Sequence, residues 1–205
     1  MIQNSPAGIL PAQSIEALLE TGAVTSATAF DEDQVQPASL DLRLGARVWR
    51  VRASFLPGQG RTVAERMAAV AMHELDLTRG AVLERGCVYI AELQERLKLP
   101  AGVSARANPK SSTGRVDVFV RLLTDNGAAF DDVAEGYAGP TYIEIAPQTF
   151  SVLVRTGTRL NQLRLKRGEP QRLSVRNVGV EAVFGGDRAL LDEGVDGLAG
   201  QDARA

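Results

Sequence analysis

The stretch SLDLRLGARVWRVRA, residues 39–53, alternates apolar and polar side chains along most of its length. Leu40, Leu42 and Leu44 occupy every second position, and the alternation resumes beyond Gly45. Successive side chains of a β-strand point to opposite faces of a sheet, so this pattern predicts a strand with one apolar face. A bend or bulge is expected near Gly45, because a glycine inside a strand commonly marks one.

Shorter β runs follow from residue 80 onward, separated by turn signals such as DNG and RTG. The runs are AVLERGCVYIAEL (81–93), VFVRLL (118–123), TYIEI (141–145), FSVLVRT (150–156) and LNQLRL (160–165). Many short strands at this spacing indicate an antiparallel barrel or sandwich.

Two short helices complete the predicted elements. Residues 10–22 have apolar side chains at helical spacing, and Gly22 suits the left-handed residue that often follows a last turn. Thr62 and Glu65 form a capping-box pattern, which predicts a second helix over residues 62–74. The expected fold is therefore mainly β, with short helices at its periphery.

The length and composition of the chain divide it into two parts. With 205 residues, it is long enough for one domain with a modest appendage. The β runs all fall in residues 1–170, which we predict to be that domain. Residues 171–205 are small, acidic and glycine-rich, and we expect them to be a loosely ordered extension or the start of a second part.

Composition argues against several classes of function. The 23 basic and 25 acidic side chains nearly balance, so no global basic field would attract long nucleic acid. One histidine and one cysteine are too few for a Cys/His zinc site. No apolar run has the length of a membrane span and no secretory signal is visible, so we predict a cytoplasmic protein without a membrane partner.

A compact polar cluster, PKSSTGR, occupies residues 109–115. It combines the cations Lys110 and Arg115 with the hydroxyls of Ser111 and Ser112. If either serine caps a short helical turn, free backbone N–H groups and positive charge would face one space, which suits phosphate oxygens. The alternative is a surface loop with a serine cap and two solvated cations.

A second cluster, GYAGPTYIEIAP, occupies residues 136–147. In the predicted strand, Tyr142 and Glu144 share one face, and Ile143 and Ile145 share the other. If the isoleucines face the core, Glu144 faces a cleft or water. It is then either a solvated strand residue or a carboxylate placed to move protons between water and a base ring.

Together these motifs resemble the dCTP deaminases of the trimeric dUTPase-like superfamily. The matching segments, in order, are QPASLDLRLG (36–45), KSSTGR (110–115), GYAGPTYIEI (136–145) and GTRLNQLRL (157–165). The resemblance covers roughly residues 9–168 and is greatest to the longer, two-part proteobacterial members. It implies a distorted jelly-roll homotrimer with active sites shared between subunits. It also implies hydrolysis of dCTP to dUTP and ammonia without zinc, which would supply dUTP for dTMP synthesis.

The resemblance also assigns catalytic roles. Glu144 would be the general acid/base, and Ser111 would position the attacking water. Arg115 would orient the catalytic hydroxyl and carboxylate or stabilise developing charge. Lys110, where the family commonly has arginine, and Ser112 would contact the triphosphate.

Further contacts with the substrate are implied by position. The expected substrate-binding residues also include Thr113 and Gly114 in the serine turn, Asp131 or Asp132 near the sugar or base, and the backbones of Tyr142 and Ile143 at the pyrimidine edge. Gln162 would face either the nucleotide or a subunit interface. A magnesium ion would be carried by the phosphates, with no metal ligands from the protein.

Other functions stay open at this point. Beyond residue 170 the sequence has no clear counterpart of the tyrosine, lysine and glutamine with which shorter family members close over the triphosphate. A dUTP pyrophosphohydrolase on the same fold, or a bifunctional enzyme that performs both steps, is one alternative. The other is a non-catalytic nucleotide-binding half of a longer enzyme.

Overall fold

A computed structural model of the protein describes residues 7–168. Its strands are β1 (Gly8–Ile9), β2 (Val24–Ser26), β3 (Val35–Gln36), β4 (Ser39–Val51), β5 (Ala71–Asp76), β6 (Ala81–Leu83), β7 (Val88–Lys98), β8 (Val103–Pro109), β9 (Val118–Thr124), β10 (Asp132–Val133), β11 (Ala138–Pro147), β12 (Val152–Val154) and β13 (Arg159–Arg167). Its helices are α1 (Ala12–Glu20), α2 (Val63–Val70) and α3 (Ser111–Arg115). The extension predicted for residues 171–205 lies outside the described residues.

The main sheet is antiparallel, in the order β10-β8-β13-β4-β7-β11-β9, and β6 pairs with β12 in a separate two-stranded sheet. The two ends of this order are joined through Asp131. Its N–H donates to the carbonyl of Leu122 at 3.0 Å, and the N–H of Leu122 donates to its Oδ1 at 2.7 Å. The sheet therefore nearly closes into a barrel, which confirms the predicted mainly β fold.

The apolar face predicted for residues 39–53 is confirmed, because Leu40, Leu42 and Leu44 are all fully buried in the core. The alternating pattern predicts that the polar residues between these leucines are exposed, and they are not. Asp41 and Arg43 are also buried, so the other face of β4 is not open to water. The segment before β4 contacts that face, since Arg43 donates to the carbonyl of Ala29 and lies over the ring of Phe30.

The bend predicted at Gly45 is also confirmed. The pairing of β4 with β7 shifts register between Leu44 and Val48. A Cβ added at Gly45 would lie 3.0 Å from the carbonyl oxygen of Glu92 on β7. Glycine is needed here because the two backbones approach each other closely.

The first helix forms within its predicted range, and Gly22 has the expected left-handed backbone with φ of 72°. The capping box at Thr62 and Glu65 is present at the start of α2. The predicted end of that helix at residue 74 is wrong, because Ala71–Asp76 forms β5 instead. Pairing with β4 satisfies the backbone groups of this segment and outweighs its local helical pattern.

Strand β8 was missed by the pattern analysis, although it positions α3 directly. Its buried side chains are Val103, Ala105 and Ala107, and small alanines give only a weak strand signal. The strand pairs with β13 and β10 and ends where α3 begins. Within residues 7–168, no helix has the length and apolar character needed to span a membrane.

Candidate active site

A pocket of about 380 Å³ lies where α3 meets β4 and β13, and we call it the basic pocket. Its lining residues are Gln36, Pro37, Ala38, Ser39, Asp41, Lys110, Ser111, Gln162 and Arg164. Two cations and several hydrogen-bonding side chains thus face one cavity. The structure brings three predicted substrate or catalytic residues, Lys110, Ser111 and Gln162, to this pocket.

Lys110 is anchored by a buried carboxylate in the basic pocket. Its Nζ donates to Oδ2 of Asp41, which is 1% exposed. Arg159 lies 3.8 Å from the same oxygen, and the other oxygen, Oδ1, has no hydrogen-bond partner among the described residues. Asp41 therefore balances the charge of Lys110 and keeps its side chain at the pocket.

The cap of α3 differs from expectation. The predicted cap was Ser111 or Ser112, whereas the N-cap is Lys110, which makes no side-chain capping bond. Its carbonyl accepts the N–H groups of Thr113 and Gly114 at 3.0 and 3.1 Å. Because β8 delivers an extended Lys110 to the helix start, both serines lie within the first turn with exposed side chains.

The remaining residues of α3 have different surroundings. Thr113 is buried, and its hydroxyl donates to the carbonyl of Leu160 at 2.8 Å. Its side chain therefore ties α3 to β13. A Cβ at Gly114 would meet no described atom within 4 Å. Arg115 is exposed, and its Nε donates to the carbonyl of Ser111 at 3.4 Å.

Gln162 faces the basic pocket from β13. Its Oε1 accepts the hydroxyl of Ser39 at 2.9 Å, which holds the amide across β4 and β13. Its cross-strand neighbour is Asp41. This placement puts Gln162 beside Lys110 rather than among the core side chains.

Glu144 lies in a second group, which we call the carboxylate cluster: Glu144, Arg121, Ser54, Phe130 and Phe119. Ile143 and Ile145 face the core as expected, yet the Glu144 side is not open to water, since Glu144 is 2% exposed. The interpretation of Glu144 as a solvated strand residue is therefore wrong. Its Oε1 accepts Nε and Nη2 of Arg121 at 3.0 and 2.5 Å, while Oε2 has no partner among the described residues.

Sequence reasoning missed Arg121, the residue that contacts Glu144 most closely. It lies directly across from Glu144 in the pairing of β9 with β11. Its guanidinium carbon lies 3.6 Å from the ring centre of Phe130 and 5.0 Å from that of Phe119. A lone charge in the apolar run VFVRLL was the available signal, because a charge among mostly buried side chains needs a partner.

An apolar layer covers the strand face that holds Glu144. It contains Tyr142 and buried residues of α2, β4, β7 and β9: Val51, Val63, Met67, Ile90 and Leu123. Burial raises the pKa of the Tyr142 hydroxyl. This layer helps to shield the Glu144 carboxylate from bulk water.

The predicted backbone contacts with a pyrimidine edge are not open in this chain. Ile143 is fully buried, and both Tyr142 and Ile143 pair with β7 on one side and β9 on the other. Their N–H and carbonyl groups therefore lie within the sheet.

Asp131 and Asp132, the two candidates for a sugar or base contact, have different environments. Asp131 uses one carboxylate oxygen to bind the N–H of Leu122, and its backbone is left-handed with φ of 63°. Burial raises the pKa of the Asp131 carboxyl, an effect that the Leu122 N–H and the charge of Arg121 partly oppose. Asp132 is exposed on β10. Asp131 closes the barrel, and only Asp132 leaves its side chain free in water.

The basic pocket and the carboxylate cluster are separate within one chain. Among residues 7–168, no hydrogen bond or ion pair joins Glu144 to Ser111 or Arg115, and Glu144 does not line the basic pocket. Nor does any group of three or more histidine, cysteine, aspartate or glutamate side chains in that range form a metal site. Within one chain, the residues predicted to bind phosphate and the carboxylate predicted to transfer protons therefore belong to separate groups.

The chain is similar to a known protein family and to a solved structure. Residues 6–169 match the family model described as the 2'-deoxycytidine 5'-triphosphate deaminase (DCD) N-terminal domain. The chain is similar to the crystal structure of 2'-deoxycytidine 5'-triphosphate deaminase from Agrobacterium tumefaciens, with 50% identity and a TM-score of 0.83. That match covers 88% of this chain and 54% of the other, so this chain spans about half the length of that protein.

Curated relatives are more distant in sequence. The dCTP deaminase, dUMP-forming, of Beutenbergia cavernae is 29% identical over 156 residues, which cover 76% of this chain and 77% of the relative. The dCTP deaminase of Halorubrum lacusprofundi is 28% identical over 155 residues, which cover 74% and 73% of the two chains.

Proposed function

The chain belongs to the family of dCTP deaminase N-terminal domains, and from that premise we propose that it catalyses the hydrolytic deamination of dCTP to dUTP and ammonia. This reaction would supply dUTP for dTMP synthesis. The observation that carries the proposal is the Glu144 carboxylate. It is buried and held at one oxygen by Arg121, and its other oxygen has no partner among residues 7–168.

A carboxylate of this kind can perform each proton transfer of the reaction. Glu144 takes a proton from the water that attacks C4 of cytosine and delivers it to N3. It then moves the second proton of the former water to the exocyclic amine. The C4–N4 bond breaks, ammonia leaves, and the C4 carbonyl of dUTP forms. Ser111 orients the attacking water, and Arg115 stabilises the charge that develops on it.

The basic pocket supplies the contacts for the triphosphate. Lys110 and Arg164 contribute positive charge, and Gln162 offers hydrogen bonds from the pocket wall. Ser112, whose exposed side chain lies on the first turn of α3, would add its hydroxyl. Asp41, the carboxylate that lines this pocket, is already paired with Lys110, so the donor set does not form a protein-held metal site. Magnesium would instead be held by the phosphate oxygens, whose charge it offsets.

We propose a homotrimer in which each active site is shared between subunits. This arrangement is supported by the separation of the basic pocket from the carboxylate cluster within one chain. It is also supported by two exposed apolar side chains, Val116 and Phe119, which follow α3 at the start of β9. A second copy packed there would cover this apolar surface and bring one chain's serine turn toward another chain's Glu144.

We also propose that the reaction is a hydrolysis that needs no zinc and that the protein acts in the cytoplasm. Its support is compositional, since the chain has one histidine and one cysteine. Nucleophilic activation would then rest on the carboxylate and hydroxyl groups already described.

A bifunctional reaction is the second candidate. Several relatives, including those of Beutenbergia cavernae and Thermobifida fusca, are named dUMP-forming dCTP deaminases. If this chain shares that property, the dUTP formed by deamination would be hydrolysed further to dUMP and pyrophosphate.

The test is to incubate the full 205-residue chain with dCTP and magnesium and to resolve dCTP, dUTP, dUMP, ammonia and pyrophosphate over time. Parallel reactions start from dUTP. Release of dUTP and ammonia supports the deaminase, and dUMP with pyrophosphate supports the bifunctional enzyme. Consumption of dUTP alone would indicate a pyrophosphohydrolase, whereas nucleotide binding without turnover would indicate a binding half.

Glu144→Gln is the matched variant for this assay. It keeps the size of the side chain and one oxygen that can accept from Arg121, but it cannot accept the proton from water. We expect it to abolish turnover while dCTP still binds. Unchanged turnover would remove Glu144 from the mechanism.

A further inference from the structure

The two oxygens of the Glu144 carboxylate have different surroundings. Oε1 receives both Nε and Nη2 of Arg121, whereas Oε2 is buried with no hydrogen-bond partner among residues 7–168. A group that shuttles protons needs one oxygen free to accept and release them. The arrangement therefore divides the carboxylate into an anchored oxygen and a reactive oxygen.

The guanidinium that holds Oε1 is itself held in place. It lies 3.6 Å from the ring centre of Phe130 and 5.0 Å from that of Phe119. Its Nη2 also donates to the hydroxyl of Ser54 at 2.8 Å. A planar cation packed on aromatic rings and hydrogen-bonded on two sides has little rotational freedom.

Arg115, the arginine to which the family resemblance assigns a catalytic role, does not hold Glu144 in this way. Within one chain, Arg115 is exposed and donates to the carbonyl of Ser111. A lysine at position 121 would not reproduce the anchor either, because an ammonium group lacks the planar fork with which Nε and Nη2 reach one oxygen together.

On the basis of the proposed deaminase function, we propose that Arg121 is a positioning residue for Glu144. It fixes the carboxylate by Oε1, so that Oε2 is the oxygen that moves protons between the attacking water, N3 and the leaving amine. Arg121 acts through Glu144 and makes no contact with the reacting atoms. Its effect therefore belongs to the chemical step rather than to dCTP binding.

The test measures kcat and KM for dCTP in the full chain and in Arg121→Ala and Arg121→Lys. We expect the alanine variant to lose about 100-fold in kcat with a nearly unchanged KM, because a small misplacement of a catalytic group has effects of this size. Millimolar guanidinium chloride should restore part of the lost rate by occupying the vacated space between the rings. An equal concentration of sodium chloride should not, and the lysine variant should stay slow.

A matched control is Arg50→Ala. Arg50 also pairs with a carboxylate, Glu84, at 3.0 Å, but neither residue belongs to the basic pocket or the carboxylate cluster. We expect this variant to keep the wild-type kcat and to show no response to guanidinium.

The unmodified chain is assayed first, which separates the two hypotheses. If it does not deaminate dCTP, the proposed function fails and the role of Arg121 fails with it. If it does and Arg121→Ala keeps the wild-type rate, only the positioning role is overturned. A variant that loses dCTP binding together with rate, and does not respond to guanidinium, would show that Arg121 is merely structural and would also overturn the proposal.

Discussion

Arg43 binds both carboxylate oxygens of the fully buried Glu95. The Nε of Arg43 donates to Oε1 at 2.9 Å, and its backbone N–H donates to Oε2 at 2.9 Å. The side-chain amide of Gln34 donates to Oε1 at 2.7 Å, so the carboxylate is surrounded by donors. The pair joins β4 to β7, and Gln34 ties the segment before β4 to the same carboxylate.

Glu95→Gln should therefore destabilise the fold strongly. Arg43 is 4% exposed, and without Glu95 its ion-pair partner among the described residues would be the half-exposed Asp31 at 3.7 Å. Breaking this buried pair should therefore cost about 3–5 kcal/mol. We expect Tm to fall by roughly 10 °C in a thermal melt. The control is Glu92→Gln, which breaks the exposed pair between Glu92 and Arg47 and should change stability by only about 0–1 kcal/mol. Equal effects of the two variants would contradict the prediction.

Substitutions at Lys110 should show whether dCTP binding in the basic pocket depends on the positive charge of this residue or on its side-chain shape. Lys110→Met removes the cation, and we expect KM for dCTP to rise by roughly 10- to 100-fold, since a hydrogen bond to a charged group contributes about 1.5–3 kcal/mol. Lys110→Arg should keep KM near the wild-type value, because arginine can bind a phosphate and still pair with Asp41. Steady-state kinetics with dCTP measure KM for both variants. A methionine variant with unchanged KM would place the triphosphate elsewhere.

Asp131→Asn should stabilise the protein at neutral pH. Burial raises the pKa of the Asp131 carboxyl in the folded chain, so protonation favours folding and this contribution is lost as the pH rises through the folded pKa. Asparagine stays neutral, keeps an oxygen for the N–H of Leu122 and tolerates the left-handed backbone. We expect a higher Tm than wild type at pH 7, with the difference shrinking as the pH falls towards the ordinary aspartate pKa of about 4.

The control for this pH dependence is Asp132→Asn, which changes an exposed side chain on the next residue. It should leave Tm close to wild type throughout the range. An Asp131→Asn difference that grows towards acid pH would have the wrong sign and would reject the explanation.

Mixing two inactive variants should reveal whether the sites are shared. Glu144→Gln keeps an intact serine turn, and Ser111→Ala keeps an intact Glu144. If an equal mixture exchanges subunits at random and the sites lie at subunit interfaces, about one quarter of all sites would combine both intact residues. We expect dCTP turnover to appear after subunit exchange of the mixture, with each variant alone as the control. No recovery from a mixture shown to contain mixed trimers would place each site within one chain.

Much of the fold followed from local patterns. The leucines of β4, the bend at Gly45 and the capping box before α2 are all short-range signals, and each was predicted correctly. The errors came where pairing with distant strands outweighed local preference. Residues 71–76 pair with β4 instead of extending α2, and β8 depends on β13 and β10 for its partners.

The sequence indicated several residues of the candidate site but not their arrangement. Glu144 was identified from its strand and motif, yet its burial was not, because the apolar layer above it comes from four other elements. Arg121 was missed because it meets Glu144 only through the pairing of β9 with β11. The cap of α3 was assigned to a serine because the sequence does not show how β8 delivers Lys110 to the helix.

The sequence by itself determined the mainly β character, the family and the residue types available for proton transfer and anion binding. Alternation, turn signals and motif order are local properties that a single chain displays without its fold. Only the tertiary structure decided that Asp41 anchors Lys110 and that Arg121 occupies one oxygen of Glu144. Each of these pairs joins residues on different strands or turns, and their distances are set by strand register rather than by separation along the chain.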